Sequence, residues 1–116
     1  MSLHIRFGQT GEDLAAQWLS EKGFSILQRN WRHGRYEVDI IAGRQGILHF
    51  IEVKSLRSTS YGYPEQSVSQ KKMGNVMQGA SGWLHRWPAF QRIQYDVLAI
   101  TLKKDAPPEY VLFEDV

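Results

Sequence analysis

The run Phe50-Ile51-Glu52-Val53-Lys54 sets a carboxylate and an ammonium two residues apart among otherwise apolar side chains. Strand side chains alternate between faces, so Glu52 and Lys54 project from the same side of a sheet. A second acidic pair, Glu37 and Asp39, lies in the preceding run "RYEVDIIAG", and Gly43 to Gly46 form a turn between the two runs. Two such runs joined by a glycine turn read as an antiparallel hairpin. With the turn centred on Gly43 to Gly46, Glu37 falls nearly opposite Glu52, and Asp39 lies one diagonal step away, still within reach. A bulge would change which acid sits directly opposite. Glu37, Asp39 and Ile41 then share one face, and Val38 and Ile40 the other.

Carboxylates gathered in one patch are costly unless a proton, a basic side chain or a cation compensates them. Mg2+ or Mn2+ suits the task, because hard divalent ions prefer carboxylate and water oxygens, with one or two carboxylates often completed by substrate phosphate. A lysine beside such an ion can orient or help deprotonate an attacking water and stabilise the charge that develops on a phosphoryl group. The competing account is a salt-bridged strand edge on which Arg35, Glu37, Glu52 and Lys54 neutralise one another in solvent.

The elements that must position these residues follow from periodicity. "TGEDLAAQWLSEKG" reads as a helix, with Thr10 and Asp13 as a capping box, Leu14, Ala15, Trp18 and Leu19 as its apolar stripe, and Gly23 as its stop. Glu12 falls at the edge of that stripe. "FSILQRN" is a short strand, "RYEVDIIAG" and "GILHFIEVKS" are longer ones, and "LRSTSYGYPEQS" is a loop carrying Tyr61, Tyr63 and Gln66. A second helix spans about Ser69 to Trp87, with Met73, Val76, Met77, Ala80, Trp83, Leu84 and Trp87 at helical spacing, and Met73, Met77, Trp83 and Trp87 in the core. "RIQYDVLAITL" and "EYVLFE" complete the set. Helix, three strands, helix and two strands describe an α/β (α+β) fold with a mixed central sheet flanked by helices. Its 116 residues form one domain, 1–116, large enough for a core without staples.

There is no cysteine, which removes disulfides and thiolate-bound zinc. With neither a membrane-length apolar run nor a signal-peptide core, the expectation is a soluble, cytoplasmic protein without membrane association. The net charge is only +2, yet Arg29 to Arg92 carries ten Lys and Arg against four acids. Such an excess favours a polyanionic partner. "QRNWRHGRY" offers Arg29, Arg32 and Arg35 to phosphates and Trp31 to an unpaired base; the alternative puts Trp31 at the core edge with its arginines solvated. Lys71 and Lys72 are further candidate backbone contacts, and Gln66 a candidate for orienting substrate. His33, His49 and His85 show no metal spacing and read as structural or surface residues, and Asp96 as a sheet-end hydrogen-bonding group.

"GEDLAAQWLSEKGFSILQRNWR", "YEVDIIA", "FIEVKS" and "YDVLAI", in this order, resemble the YraN family of small bacterial proteins. That family is related to Holliday-junction resolvases of the restriction-endonuclease-like, PD-(D/E)xK fold, and the resemblance spans about Gly8 to Ile100. It implies a metal-dependent phosphodiesterase in which Asp39 and Glu52 bind Mg2+ or Mn2+, Lys54 is catalytic, Glu12 reaches the metal shell and Glu37 is the acid of a Gly-Glu-hydrophobic-Asp motif. Three positions depart from the pattern: Tyr36 replaces that motif's glycine, Leu56 replaces an arginine, leaving Arg57 one position late as a phosphate contact, and Gln94 replaces a basic residue. The leading expectation is a DNA endonuclease acting on structured or branched DNA, for which a homodimer would match two-fold symmetric junctions. The alternatives are a nucleic-acid-binding module that does not cleave, and an interaction domain whose acids form only a salt-bridge network.

Overall fold

The computed structural model describes residues 7–57, 70–86 and 92–116. Seven elements follow the expected order: α1 (Phe7–Glu21), β1 (Ser25–His33), β2 (Tyr36–Arg44), β3 (Ile47–Arg57), α2 (Gln70–Arg86), β4 (Ile93–Leu102) and β5 (Glu109–Phe113). Tyr61, Tyr63, Gln66 and Trp87, and the side chains of Lys71, Lys72 and Met73, lie outside the described residues. The five strands form one sheet in sequence order, antiparallel except for the parallel β3–β4 pair. The parallel pair is the one joined through α2, as a crossover between parallel strands requires. A mixed sheet between two helices is the expected α+β architecture and is compatible with a restriction-endonuclease-like fold. No helix among the described residues is long and apolar enough to cross a membrane.

α1 ends as its sequence predicts. Gly23 takes φ +93°, its N–H donates to the Ser20 carbonyl at 3.2 Å, and the Phe24 N–H donates to the Leu19 carbonyl at 3.0 Å. This is a Schellman closure, with Leu19 and Phe24 supplying its apolar contact in one buried cluster. The start differs from expectation. The helix begins at Phe7, so Thr10 lies within it rather than ahead of its first turn, and the Asp13 carboxylate binds Arg29 at 2.7 Å.

Two apolar clusters sandwich the sheet. On the α1 side Ala15, Leu19 and Phe24 pack with Ile40, Ala42, Ile51, Leu98 and Ile100. On the α2 side Val76, Ala80 and Trp83 pack with Trp31, Val38, Ile41, Leu48 and Phe50. Met77, expected in the core, is 44% exposed, because the buried stripe of α2 runs through Val76, Ala80 and Trp83. Glycine lets α2 approach closely: a methyl group at Gly79 would sit 3.0 Å from Val38 Cγ2.

β1 continues past the expected end at Asn30 to His33, and a two-residue Gly34–Arg35 turn joins it to β2. Trp31 is therefore a strand residue, 8% exposed, with its indole N–H donating to the Gly79 carbonyl at 2.9 Å. A ring so enclosed cannot stack on a base, and the nucleic-acid role read for Trp31 is replaced by a core role.

The β2–β3 turn also lies elsewhere than expected. Arg44 pairs with Ile47, so the loop is Gln45-Gly46, with φ of 52° and 78°. Two successive positive φ values make a type I′ turn, whose twist matches that of the strands. Gly43 belongs to β2 and pairs with Leu48. Moving the turn slides the register by two residues, so continuation of the Ile40–Ile51 pairing puts Asp39, not Glu37, opposite Glu52.

Trp31→Ala is expected to cost about 3–5 kcal/mol, the range for removing a buried indole. Urea unfolding measures this; a loss below about 1 kcal/mol would return Trp31 to the surface.

Candidate functional site

The β2–β3 ladder ends at Ile40–Ile51, although β2 extends back to Tyr36 beside β1 and β3 runs on to Arg57 beside β4. The strands therefore part, and Asp39 sits in the fork. Its Oδ2 accepts the Val53 N–H at 2.8 Å, so a side chain takes the donor where the ladder has stopped. The alternation of β2 slips at the same place. Val38 packs on the α2 side, Ile40 on the α1 side and Ile41 on the α2 side again, so Val38 and Ile40 do not share the face expected of them. An irregularity of this kind re-aims one side chain while the rest of the strand keeps its packing.

β3 stays regular. Leu48 and Phe50 face α2, and Ile51 and Val53 face α1. Glu52 and Lys54 therefore continue the Leu48–Phe50 row towards the end of the strand. Along that row burial declines from fully buried Phe50 through Glu52, 7% exposed, to half-buried Lys54.

Glu12 arrives from α1. The Gly11 backbone lies directly on β3, where a Cβ would collide with Ser55 Oγ, and Glu12 follows at once. Its Oε1 is buried and makes no hydrogen bond among the described residues. Burial is the main influence raising the Glu12 pKa; Glu37, Asp13 and Glu52 add to it, and Arg29 opposes it. For Asp39 the effect is larger. Burial first, then the Glu52 carboxylate, push it from 3.8 up to about 7, with Glu12 and Glu37 adding repulsion and the Val53 N–H pulling the other way. Glu12, Glu37, Asp39 and Glu52 thus share one electrostatic neighbourhood. They do not close into a ready cage: among the described residues no group of three or more His, Asp or Glu is disposed to hold a metal ion.

The basic candidates are dispersed. Arg29 is paired with Asp13, and Arg32 reaches Glu37 at 3.3 Å across β1 and β2. Arg35 is exposed and lies over the Tyr36 ring at 5.3 Å, and Arg57 is exposed at the end of β3. Tyr36 thus lies beneath a guanidinium, at a position where the resembled motif has glycine. Gln94 donates to Asp96 Oδ1 at 3.0 Å. Asp96 also binds His49 Nδ1 at 2.6 Å and the Asp115 N–H at 2.9 Å. That fully buried carboxylate ties β3, β4 and the Glu114–Val116 segment together, as the sheet-end reading of Asp96 expects. Composition alone held no signal for the Asp39–Val53 bond or the Gly11–Ser55 contact, because both depend on where strands part and helices land.

The Asp39 carboxyl binds its proton more tightly folded than unfolded. Its contribution to stability is therefore present at low pH and is lost as pH rises from about 4 through 7. In EDTA, Asp39→Asn, which keeps an oxygen for the Val53 N–H, is expected to raise stability at pH 8 by about 1–2 kcal/mol and to change it little at pH 4. Thermal unfolding across that range checks it; an equal shift at both pH values would remove titration as the cause.

The sequence profile of "Uncharacterised protein family UPF0102" matches residues 11–100. A UPF0102 protein of Phocaeicola vulgatus is 35% identical over 104 residues, spanning 90% of this chain and 86% of the relative. One from Syntrophomonas wolfei is 42% identical over 103 residues, covering 87% and 89%, and one from Rhodococcus opacus 37% identical over 110 residues, covering 94% and 93%. The matched region contains the fork, its acids and Lys54, and with near full-length likeness to curated members it shows that the chain belongs to the UPF0102 family.

Proposed function

We propose that the fork is the active site of a divalent-metal-dependent nuclease that hydrolyses phosphodiester bonds in DNA. The observation that carries this reading is the meeting of Asp39 and Glu52 where β2 and β3 part, with Asp39 held up to about 7 by burial and by its neighbour. Carboxylates in such mutual repulsion, with a Glu12 Oε1 that has no hydrogen bond among the described residues, have the donor chemistry that hard cations take. Asp39 and Glu52 would hold Mg2+ or Mn2+; two carboxylates are a usual complement for Mg2+ when substrate phosphate supplies the rest. When bound, the ion supplies Lewis-acid polarisation of the phosphodiester and offsets the carboxylate charge.

The remaining work falls to the chain. The Val53 N–H fixes the orientation of Asp39, so little reorganisation is needed on binding. Lys54, on the same row as Glu52 and less buried, is within the reach of its flexible stem from solvent and from the fork. Its ammonium orients the attacking water and stabilises negative charge on the phosphoryl oxygens. Glu12 adds an oxygen acceptor from the α1 layer.

The basic excess between Arg29 and Arg92 favours a nucleic-acid substrate, and its being DNA rests on the resemblance to resolvases. Branched DNA, and a dimer to match its symmetry, rest on the resemblance to resolvases. The second reading is a nucleic-acid-binding module on the same fold that does not cleave, which the basic excess alone would serve.

Labelled duplex, single-stranded and four-way-junction DNA, incubated with protein and Mg2+ or Mn2+, separate the two. Metal-dependent products are expected, lost by about 10³-fold or more in Asp39→Ala and Glu52→Ala, and reduced about 10²–10⁴-fold in Lys54→Ala with DNA affinity unchanged. Calorimetry should show Mn2+ binding that Glu52→Ala abolishes. Salt-sensitive binding without products on any of the three substrates would establish the non-cleaving module.

A further inference from the structure

A second polar site lies on the α2 face, next to the fork but outside it. A cleft of about 410 Å³ is lined by Trp31, Arg32, His33 and Gly34 from the β1–β2 hairpin and by Ser81, Gly82, His85 and Arg86 from the end of α2. That volume lies within the ~300–1,000 Å³ of ordinary ligand sites. Two guanidiniums and two imidazoles face the space, and no carboxylate is among its described lining residues. Its floor is fixed by Trp31, which is buried and bonded to Gly79, while the exposed His33 ring lies against Gly82, where a side chain would meet it. Arg86 lies over the Trp31 ring at 6.0 Å.

We propose that this cleft holds a backbone phosphate of a nucleic-acid strand. Complementing the last-turn carbonyls of α2 accounts for His85 and Arg86, but not for Arg32 and His33, which belong to the opposite wall. Arg32 is the adaptable member. Its side chain is 74% exposed, and its partner is Glu37 at 3.3 Å. An exposed pair of this type is weak, so a phosphate displaces it at small cost, whereas a guanidinium–phosphate pair is bidentate and charge-assisted.

A polymer fits better than a small anion because the basic surface continues beyond the cleft. Arg35, over the half-buried Tyr36 ring, sits on the same hairpin turn, His33 being paired with Tyr36. Through Glu37 the cleft also borders the fork, since Glu37 contacts Arg32 and contributes to the rise of both Asp39 and Glu12. A strand seated there has its neighbouring nucleotides beside the acids. The inference deepens the nucleic-acid part of the proposed function and is independent of cleavage.

The test is fluorescence anisotropy in EDTA with a labelled single-stranded 20-mer and the matching duplex, across a salt series. Arg32→Glu reverses an exposed charge, and Ser81→Glu places a carboxylate in the cleft from an exposed position, so neither disturbs the core. Each is expected to weaken binding tenfold or more and to lower the salt slope by about 1. Lys104→Glu, the same charge reversal on the β4–β5 connection, serves as control and should weaken binding less than threefold. Thermal unfolding of each variant verifies folding. Wild-type affinity and slope in both cleft variants, or losses no larger than in the control, would overturn the cleft while leaving the cleavage assay to decide the fork. Absence of oligonucleotide binding by the wild type would overturn it as well. So would millimolar inorganic phosphate stabilising the wild type but not Arg32→Glu without oligonucleotide affinity, which would make the cleft a free-phosphate site.

Discussion

One bond organises the centre of this molecule: the Val53 N–H donating to Asp39 Oδ2 in the fork between β2 and β3. An ordinary hairpin would have continued its ladder there. Here a carboxylate serves as the acceptor, the ladder stops, and Glu52, Glu12 and Glu37 lie close enough to bear on Asp39. The arrangement costs stability, since burial and the Glu52 charge together oppose ionisation of Asp39. A fold keeps such a group only if the surrounding structure over-determines it. The two apolar clusters do so, one on each side of the sheet, with Ile40 and Ile51 closing the ladder just behind the acids.

The two layers divide the labour. α1 is brought close by Gly11 lying against Ser55 and delivers Glu12 to the fork. α2 is brought close at Gly79 and Gly82 and encloses Trp31, with the exposed His33 ring lying against Gly82. Small residues at both contacts let helix backbone approach strand backbone, so charged groups sit on rigid elements. In the proposed nuclease, positioning and electrostatics would be most of what the protein contributes to phosphoryl transfer.

Much of this was legible in the sequence. Element order followed from periodicity, and the close of α1 from Gly23. The approach of an acid on β2 to Glu52 followed from two runs separated by a glycine turn, although the ladder stops one pair short of it. The register did not, because Gly43 and Gly46 look equally suited to a turn, and only the left-handed pair Gln45-Gly46 shows which one closes the hairpin. Trp31 was misread for a related reason. Surrounded by arginines it looks like a surface residue, yet a strand that continues to His33 must turn alternate side chains inward. The start of α1 was misplaced because Thr10 and Asp13 satisfy a cap pattern whatever follows, and Asp13 had another partner in Arg29.

The short Gln45-Gly46 connection also works as a spacer gauge for the two acids. Because pleats repeat every second residue, one residue gained or lost between Asp39 and Glu52 would rotate one acid into the opposite layer. A change of two would keep both on their side but slide them past each other. Chain length in this hairpin is therefore set by the same geometry that places the acids.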